Sequence, residues 1–306
     1  MDELVHLSEK PAADKVYMIA GWQQWADAGA ISSALPQYLV DHLAADKIGE
    51  IDPDLFYLFQ IPGTHHLVRP QIKLQDGYRE HIETRKNEFY YSGKTRNGLT
   101  IFLGHEPHRN EQRYAEAFLD AAQELGVKRI VAVAGVYGPM PYDRDREVSC
   151  VYSLPGMKNE LKRYAVNLSN YEGGSTIDTY IADRAEPRGI EFLALFAMVP
   201  YYDLTQLSPH LSGVQIGQDY KAWYDLLRRL DYMFNLGLDL SDLGEQSEKL
   251  IASIDAQIER LDESMPQLKV KDHINELTKD FSENPFMPLG DMWERELEDL
   301  FKNLED

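Results

Sequence analysis

Two short segments place histidine beside groups that could act with it in metal binding or proton transfer. They are Thr64-His65-His66 and His105-Glu106-Pro107-His108. Imidazole and carboxylate are common zinc ligands, and a histidine–glutamate pair can serve as general acid and base. Neither segment has the i, i+4 histidine spacing of a helical zinc site, and Pro107 disfavours a helix. Two interpretations are possible. The segments could together form a metal site, or they could be polar loops around a pocket or interface. We favour the second and expect no metal or cofactor.

A second candidate is the segment Gly21-Trp-Gln-Gln-Trp-Ala-Asp-Ala-Gly-Ala30, which follows the apolar run Val16–Ala20. A glycine-rich loop between a strand and a helix often cradles phosphate. The P-loop motif, however, requires Lys-Ser/Thr after its second glycine, and Ala30-Ile31 stands there. Asp27 would also occupy the start of the following helix in place of an anion. We interpret the segment as a strand–turn–helix junction with Asp27 near the N-cap.

Two arginines, Arg144 and Arg146, follow the apolar run Arg129–Gly135. Guanidinium groups at this spacing could clamp an anion. They could equally pair with the acidic residues beside them or reach a neighbouring subunit, and we favour these alternatives. Further along, Tyr201-Tyr202 combines apolar rings with polar edges, which suits the rim of a site or an interface.

The charge of the chain limits the partners that it can bind. The 306 residues carry a formal net charge of −20, which disfavours nucleic acid and anionic membranes, because both require Lys and Arg to replace counterions. The single cysteine, Cys150, cannot form an intramolecular disulfide and is expected in the core. The first residues lack a signal-peptide pattern, and the longest apolar run, Phe192–Pro200, is too short to span a membrane. We therefore expect a cytoplasmic protein.

Apolar runs alternate with helical patterns along most of the chain, which indicates an α/β fold with a mostly parallel or mixed sheet. Most of the runs lack polar alternation and are predicted to be strands buried on both faces. The runs are Val16–Ala20, Leu55–Gln60, Leu99–Gly104, Arg129–Gly135, Val148–Ser153 and Glu191–Val199. The helical patterns cover Asp27–Leu43, Glu111–Leu125, Gly156–Tyr164, Thr176–Arg188 and Ile216–Leu236, the last with Gly237 as its expected C-cap.

The carboxyl-terminal quarter differs in composition. From Gly237 onward there are 19 acidic and 7 basic residues. Apolar stripes before and after Pro266 predict two antiparallel helices, and Trp293–Leu304 is a third helix or a frayed end. We therefore divide the chain into an α/β core, residues 1–240, and an acidic helical appendage, residues 241–306.

Several motifs together resemble a known family. Gly21-Trp22 with Asp27-Ala28-Gly29 is similar to the Gly-Trp-x-Asp-Ala-Gly opening of the proteasome assembly chaperone 2 family. Further motifs resemble those of the family in the same order: Arg69-Pro70, Gly104-His-Glu-Pro107, Gly135-Val-Tyr-Gly-Pro-Met-Pro141 with Arg144, Val199-Pro-Tyr-Tyr202, and Leu236-Gly-Leu-Asp-Leu240 with Leu243. Each motif is short, and their shared order over most of residues 15–265 supports the resemblance.

The resemblance implies a three-layer α/β/α fold similar to that of phosphorylases and peptidyl-hydrolases. It also implies a homo-oligomer, with a trimer expected, and no established catalysis in prokaryotic members. Eukaryotic members help to assemble the proteasome α-ring, and some relatives engage it through a terminal hydrophobic-Tyr-x tail. This chain ends in Asn303-Leu-Glu-Asp306, so we do not expect proteasome docking through such a tail. Tyr142, Asp143 and Tyr201 stand where many bacterial members have His, Thr and His, which removes general-base candidates.

Two hypotheses follow. We favour a non-enzymatic assembly or protein-binding factor with protein partners. The alternative is a hydrolase, phosphorylase-like enzyme or ligand-binding protein for a nucleoside- or peptide-like molecule, with Glu106 and a histidine in acid–base roles and Arg144 holding an anion. Ten residues are expected to line a ligand pocket or interface: Gly21, Trp22, Asp27, Arg69, His105, Glu106, His108, Arg144, Tyr201 and Tyr202.

Overall fold

A large mixed sheet forms the centre of the protein. The computed structural model describes residues 4–60, 69–209, 211 and 213–287. Ten strands belong to the main sheet: β1 (Val5–Leu7), β2 (Val16–Gln23), β3 (Asp46–Ile51), β6 (Glu88–Ser92), β7 (Gly98–His105), β8 (Val127–Gly138), β9 (Val148–Tyr152), β10 (Asn167–Leu168), β11 (Glu191–Tyr202) and β12 (Val214–Gln215). Two further strands, β4 (Gln71–Gln75) and β5 (Tyr78–Glu83), form a separate hairpin.

Four long strands at the centre of the sheet are parallel. The strand order is β1-β3-β6-β7-β2-β8-β11-β9-β10, with β12 paired to the end of β11. Strands β7, β2, β8 and β11 run in one direction, so their carboxyl ends meet at one edge. We call this the carboxyl edge. The strands β6 and β9 flank the four central strands, and each is antiparallel to its central neighbour.

Helices cover both faces of the sheet. They are α1 (Ala34–Leu43), α2 (Glu111–Glu124), α3 (Lys158–Leu161), α4 (Ile177–Ala185), α5 (Tyr220–Phe234), α6 (Ser241–Ser264) and α7 (Val270–Leu277). Alternate strand residues point to opposite faces. Ile19, Val131 and Leu195 therefore pack with α1, α5 and α6, whereas Phe102 and Ile130 pack with α2 and α4. This arrangement confirms the predicted three-layer α/β/α fold.

The predicted strand at Leu55–Gln60 is wrong. The chain turns here instead, with the Phe56 N–H donating to Pro53 O at 3.0 Å and the Asp54 N–H donating to Asp52 Oδ1 at 2.9 Å. An aspartate that bonds the backbone two residues later favours a turn over an extended run. The strands β3 and β6 were not predicted, because they carry charged residues at exposed or half-exposed positions.

The boundaries of two helices also differ from the prediction. Helix α1 begins at Ala34, not Asp27, because Gly29 and Ala30 have φ values of 64° and 52° and interrupt the helical path. Helix α5 begins at Tyr220, not Ile216, and ends two residues earlier than expected, at Phe234, with Asn235 at φ 50° as its left-handed cap. Gly237 follows at φ 73° outside the helix.

The acidic carboxyl-terminal region forms the two expected helices, α6 and α7. Leu243, Ile254 and Ile258 of α6 and Ile274 of α7 join the same apolar cluster as α5. The segment after α7 adds Phe286, which is 2% exposed and lies 5.7 Å from the ring of Tyr232 on α5. The apolar sides of these elements therefore form one core with α5. The segment Trp293–Leu304, predicted to be a third helix or a frayed end, lies outside the described residues.

Candidate functional site

The carboxyl edge brings several of the sequence-predicted residues close together in the fold. Gln23 at the end of β2 lies in register with His105 at the end of β7. The Glu106 N–H donates to Gln23 O at 3.1 Å, and Asp27 forms a bridge with Gly135 of β8. Ligand sites in open α/β sheets form at this edge, so the side chains here decide what the site can do.

Asp27 binds the turn that leads into α1. Its Oδ1 accepts the N–H groups of Ser32 and Ser33 at 2.9 and 3.0 Å, and its Oδ2 accepts the Ser33 hydroxyl at 2.6 Å. A carboxylate in this position satisfies the free donors that an anion would otherwise use. Asp27 was predicted near the N-cap of this helix, but the N-cap of α1 is Ser33, and Asp27 binds the turn just before it.

The glycines of the same segment allow close packing. A Cβ on Gly21 would lie 2.2 Å from Ser32 O, and one on Gly135 would lie 2.0 Å from Ala28 O. The Gly29 carbonyl accepts both the Asp219 N–H and the Trp223 indole N–H at 3.0 Å. The segment thereby joins β2, α1 and the start of α5.

Trp22 faces the core and not a pocket. It is fully buried on the α2 side of the sheet, with Phe102 and Phe118 about 5 Å from its ring. Its indole N–H donates to the Tyr114 hydroxyl at 2.9 Å, and that hydroxyl lies 2.9 Å from Asn87 Oδ1. Side chains alternate along β2, so Trp22 points toward the α2 layer, whereas its neighbours Gly21 and Gln23 face the other side of the sheet.

The two histidines after β7 are held by backbone groups. His108 Nδ1 accepts the Leu58 N–H at 3.0 Å, and His105 Nδ1 lies 3.2 Å from both the backbone nitrogen and oxygen of Lys86. Both rings meet the ring of Tyr57 edge-on. Burial lowers the pKa of both imidazoles, which favours the neutral form. Their contacts orient the Tyr57 loop against the sheet.

Glu106 lies instead beside the start of α4. Its Oε1 accepts the Ile177 N–H at 3.1 Å. The next residue of α4, Asp178, is fully buried and accepts the Gln24 amide at 3.2 Å. Burial raises the pKa of Glu106, and the Asp178 carboxylate raises it further. Burial also raises the pKa of Asp178, against the effect of its hydrogen bonds with Thr176 and Gln24.

Sequence reasoning did not identify Asp178 or Gln24. An acidic residue in the first turn is an ordinary helix feature, and nothing in the sequence places it near Glu106. Glu106, Asp178 and Gln24 together form a small polar cluster at the carboxyl edge, and Gln24 Oε1 is buried without a hydrogen-bond partner among the described residues. The predicted pairing of Glu106 with a histidine is not among the hydrogen bonds recorded for these residues.

Arg144 and Arg146 have different environments. Arg144 is exposed, with its guanidinium 3.9 Å from Asp143 and 3.7 Å from Glu283 after α7. Arg146 is fully buried and pairs with Asp219 at the start of α5, at 2.8 Å. The predicted pairing with adjacent acids therefore holds for Arg144 alone. The partner of Arg146 is distant in sequence because the loop after β8 lies against the first turn of α5.

A wider charged network surrounds this pair. The Arg146 N–H donates to Asp225 Oδ2 at 2.8 Å, and Lys221 contacts both Asp225 and Asp145. The contact with Lys221 outweighs burial and lowers the pKa of Asp145. Burial raises the pKa of Asp225 despite the nearby ammonium group. The network lies on the α5 side of the sheet, whereas Glu106 lies on the α4 side, so the fold separates Arg144 from Glu106.

The tyrosine pair divides between surface and core. Tyr202 is buried, and its hydroxyl donates to Met140 O at 2.7 Å. Tyr201 is 38% exposed and lies 5.8 Å from Tyr137, which is 42% exposed, at the end of β8. Trp25, just after β2, is 66% exposed. Tyr202 is thus a core residue, and the exposed aromatic residues of the edge are Trp25, Tyr137 and Tyr201.

The remaining sequence candidates lie apart from these groups. The guanidinium of Arg69 lies 5.0 Å from the ring centre of Phe59 and contacts Gln60. Burial raises the pKa of Cys150 to about 12, as expected for a core thiol. Residues 64–66 lie outside the described residues. Among the residues that the structure describes, no group of three or more His, Cys, Asp or Glu side chains is arranged to hold a metal ion.

The described helices include none with the length and apolarity to cross a bilayer.

The carboxyl edge contains a turn bonded by Asp27, histidines held by backbone groups, a small carboxyl cluster and exposed aromatic rings. Hydrogen bonds and ion pairs within the chain occupy most of its polar groups.

Comparison with known proteins gives consistent results. The model of the PAC2 family matches residues 21–258. The fold is similar to that of a PAC2 family protein from Streptomyces avermitilis, with 24% identity and a TM-score of 0.66 over 79% of this chain and 95% of that chain. No curated protein matches the sequence.

Two further solved structures have a similar fold. A proteasome-assembly chaperone homologue from Mycobacterium tuberculosis is 22% identical, with a TM-score of 0.67 over 79% of this chain and 95% of that chain. An archaeal proteasome activator from Pyrococcus furiosus is 20% identical, with a TM-score of 0.56 over 83% of this chain and 98% of that chain. At these identities the similarity establishes the fold.

Proposed function

This chain belongs to the PAC2 family, and from that premise we propose that it is a non-enzymatic factor that binds other proteins and assists their assembly. Two proteins of similar fold are described as a proteasome-assembly chaperone homologue and as an archaeal proteasome activator. The class of ligand that we propose is accordingly a protein.

The observation that carries this proposal is how the polar residues of the family motifs are used. Asp27 binds the turn that leads into α1, and the Gly29 carbonyl group accepts a hydrogen bond from Trp223 in the first turn of α5. A catalytic centre requires groups that reach a substrate, whereas these groups contact the chain itself. The motifs therefore support a scaffold whose function resides in its surfaces.

Two surfaces are suited to a protein partner. The exposed aromatic rings of Trp25, Tyr137 and Tyr201 lie at the carboxyl edge, and aromatic residues are enriched in protein interfaces. The outer side of α6 carries exposed acids, including Glu245 and Glu248. We propose that this acidic side meets a basic surface of the partner, because complementary charge accelerates association.

We further propose that the chain self-associates, with a trimer as the expected form. A ring of identical subunits repeats the acidic helices, and repetition of a weak contact raises the overall affinity. Light scattering is then expected to give three times the 35.1 kDa of the chain.

Charge reversal on α6 tests the binding proposal. Glu245→Lys with Glu248→Lys is expected to weaken capture of the partner at least tenfold, because rim charges govern association. Asp183→Lys with Glu186→Lys is the matched control, since both residues are exposed at the same i, i+3 spacing on the opposite helical layer. Equal loss in both variants, or no loss in either, would contradict a specific role for α6.

The carboxyl cluster favours one second function, the binding of a small molecule at Glu106 and Asp178. Buried carboxyl groups with raised pKa values are frequent in functional sites. Native mass spectrometry of the purified protein tests this alternative. A small molecule retained by the wild type and by Asp183→Asn, but lost in Asp178→Asn, would support it. A bare chain mass in all three would exclude a tightly held ligand.

A further inference from the structure

We infer that the β4–β5 hairpin is an arm by which one copy of this chain docks on a second copy. We define the hairpin arm as residues 69–86. This inference rests on the self-association proposed above and identifies the element that produces it.

The hairpin lacks cover from the part of the chain that the structure describes. Every residue of both strands is exposed. The two strands pair with each other and form a sheet separate from the ten-stranded sheet. An isolated two-stranded hairpin is marginally stable in water at best, and stability requires a further packing surface. An exposed hairpin of this kind therefore fits an element that is completed by another molecule.

One face of the hairpin is apolar. Ile72 and Leu74 are two residues apart on β4 and so share a face, and Ile82 lies directly opposite Ile72. These three side chains are 55%, 57% and 37% exposed. Gln71 and Gln75 lie on the other face of β4. A contiguous exposed apolar group of this kind indicates an interaction site more than a free surface.

Charge identifies the occupant as a second copy. The hairpin arm contains five basic and three acidic residues, a net charge of +2, within a chain whose total is −20. Two copies of so acidic a protein repel each other. Contact through the arm reverses that effect locally, because the arm presents positive charge to the negative remainder of its neighbour.

Edge pairing between main sheets is a weaker route to self-association. The outer strands β1 and β10 have three and two residues, and short edge strands limit pairing with another chain. Packing of the apolar face of the arm is therefore the contact that we propose. If the arm docks on a different surface of its neighbour, the contact is heterologous and can close into a ring such as a trimer.

Light scattering over a range of protein concentrations tests the inference. The variant Ile72→Lys with Ile82→Lys is compared with Gln71→Lys and Gln75→Lys, which adds the same charge to the opposite face. All four side chains are exposed, so circular dichroism is expected to match the wild type in both variants. We expect the wild type and the glutamine variant to be oligomeric. The isoleucine variant is expected to dissociate to the 35.1 kDa chain, with a dissociation constant raised tenfold or more, as for an interface hot spot.

The outcomes separate this inference from the proposals above. A monomeric wild type would overturn both the self-association and the arm. An oligomeric isoleucine variant would overturn the arm alone, and partner capture by the wild type is measured independently.

A photo-crosslinker at position 74, used in a mixture of isotopically heavy and light chains, identifies the occupant. Heavy–light crosslinks are expected. Crosslinks that join only residues of the same chain, or that join the arm to a different protein, would overturn the assignment to a second copy.

Discussion

The side chains of Arg146 and Asp219 form a fully buried ion pair, with Arg146 Nε 2.8 Å from Asp219 Oδ2. Asp219 also caps α5 by accepting the Ala222 N–H at 3.0 Å, and its own N–H donates to Gly29 O. The loop after β8, the motif segment after β2 and the first turn of α5 therefore meet at one residue. This relationship makes the motif region a structural junction.

The buried pair is expected to contribute strongly to stability. Asp219→Asn retains a capping side chain but leaves the Arg146 charge unpaired, so the free energy of unfolding should fall by about 3 kcal/mol. Arg144→Met, two residues away from Arg146 and exposed, should change it by less than about 0.5 kcal/mol. Urea unfolding of both variants measures the difference. Similar values for the two would contradict the structural role of the pair.

The close approach at Gly135 gives a second prediction. A methyl group here would lie 2.0 Å from Ala28 O, so Gly135→Ala should destabilise the protein by about 2–3 kcal/mol through overpacking. Gly156 is the control, because a Cβ there meets nothing within 4 Å. Thermal unfolding should place Gly156→Ala at or slightly above the wild type. A neutral Gly135→Ala would show that the junction is looser than described.

Arg129 links β8 to two other segments and gives a prediction in acid. Its guanidinium contacts Glu160 at 2.7 Å and Glu191 at 2.6 Å. The hydrogen bond from Arg129 lowers the pKa of Glu160 below its ordinary value of 4.5. A lowered pKa stabilises the fold above pH 4.5, and this contribution is lost as the pH falls through the folded value.

Glu160→Gln should therefore reduce stability at pH 7 by about 0.5–1 kcal/mol, a modest effect because water screens this partly exposed pair. The difference from the wild type should shrink as the pH falls below the ordinary glutamate value and disappear below the lowered pKa of Glu160 in the folded state. Unfolding curves at several pH values measure it, with exposed Glu186→Gln as the control. A difference that is constant with pH would exclude the ion pair as its cause.

Asp178 should show the opposite pH dependence. Burial raises its pKa above 3.8, so its contribution to stability is present at low pH and is lost as the pH rises through the folded value. Asp178→Asn should raise the free energy of unfolding at pH 7 by about 1 kcal/mol, because an amide removes the buried charge. Asp183→Asn is the exposed control. A clear loss of stability in Asp178→Asn would show that the carboxylate is required by its donors.

The sequence pattern could predict the strands that are covered by apolar residues on both faces of the sheet. The runs that became β2, β7, β8 and β11 were predicted because both of their faces are buried. The hairpin β4–β5 could not be predicted in this way, since all its residues are exposed. Its stability depends on contacts that local pattern does not encode.

The site divides along the same line. A local structural role for Asp27 could be predicted because its bonds reach only five and six residues along the chain. The partner of Arg146 lies 73 residues away, and an aspartate before a helix indicates a cap, not an ion partner. Glu106 and Asp178 lie near each other because the first turn of α4 lies beside the residue that follows β7, which requires the tertiary fold.

We propose that this PAC2 family member acts by binding other proteins. Native mass spectrometry of the protein purified from its own host through an affinity tag tests this proposal. We expect a complex in which a fixed number of copies of the chain holds a second protein in defined ratio. A mass equal to the chain or its oligomer with a bound small molecule, and with no second protein, would contradict it.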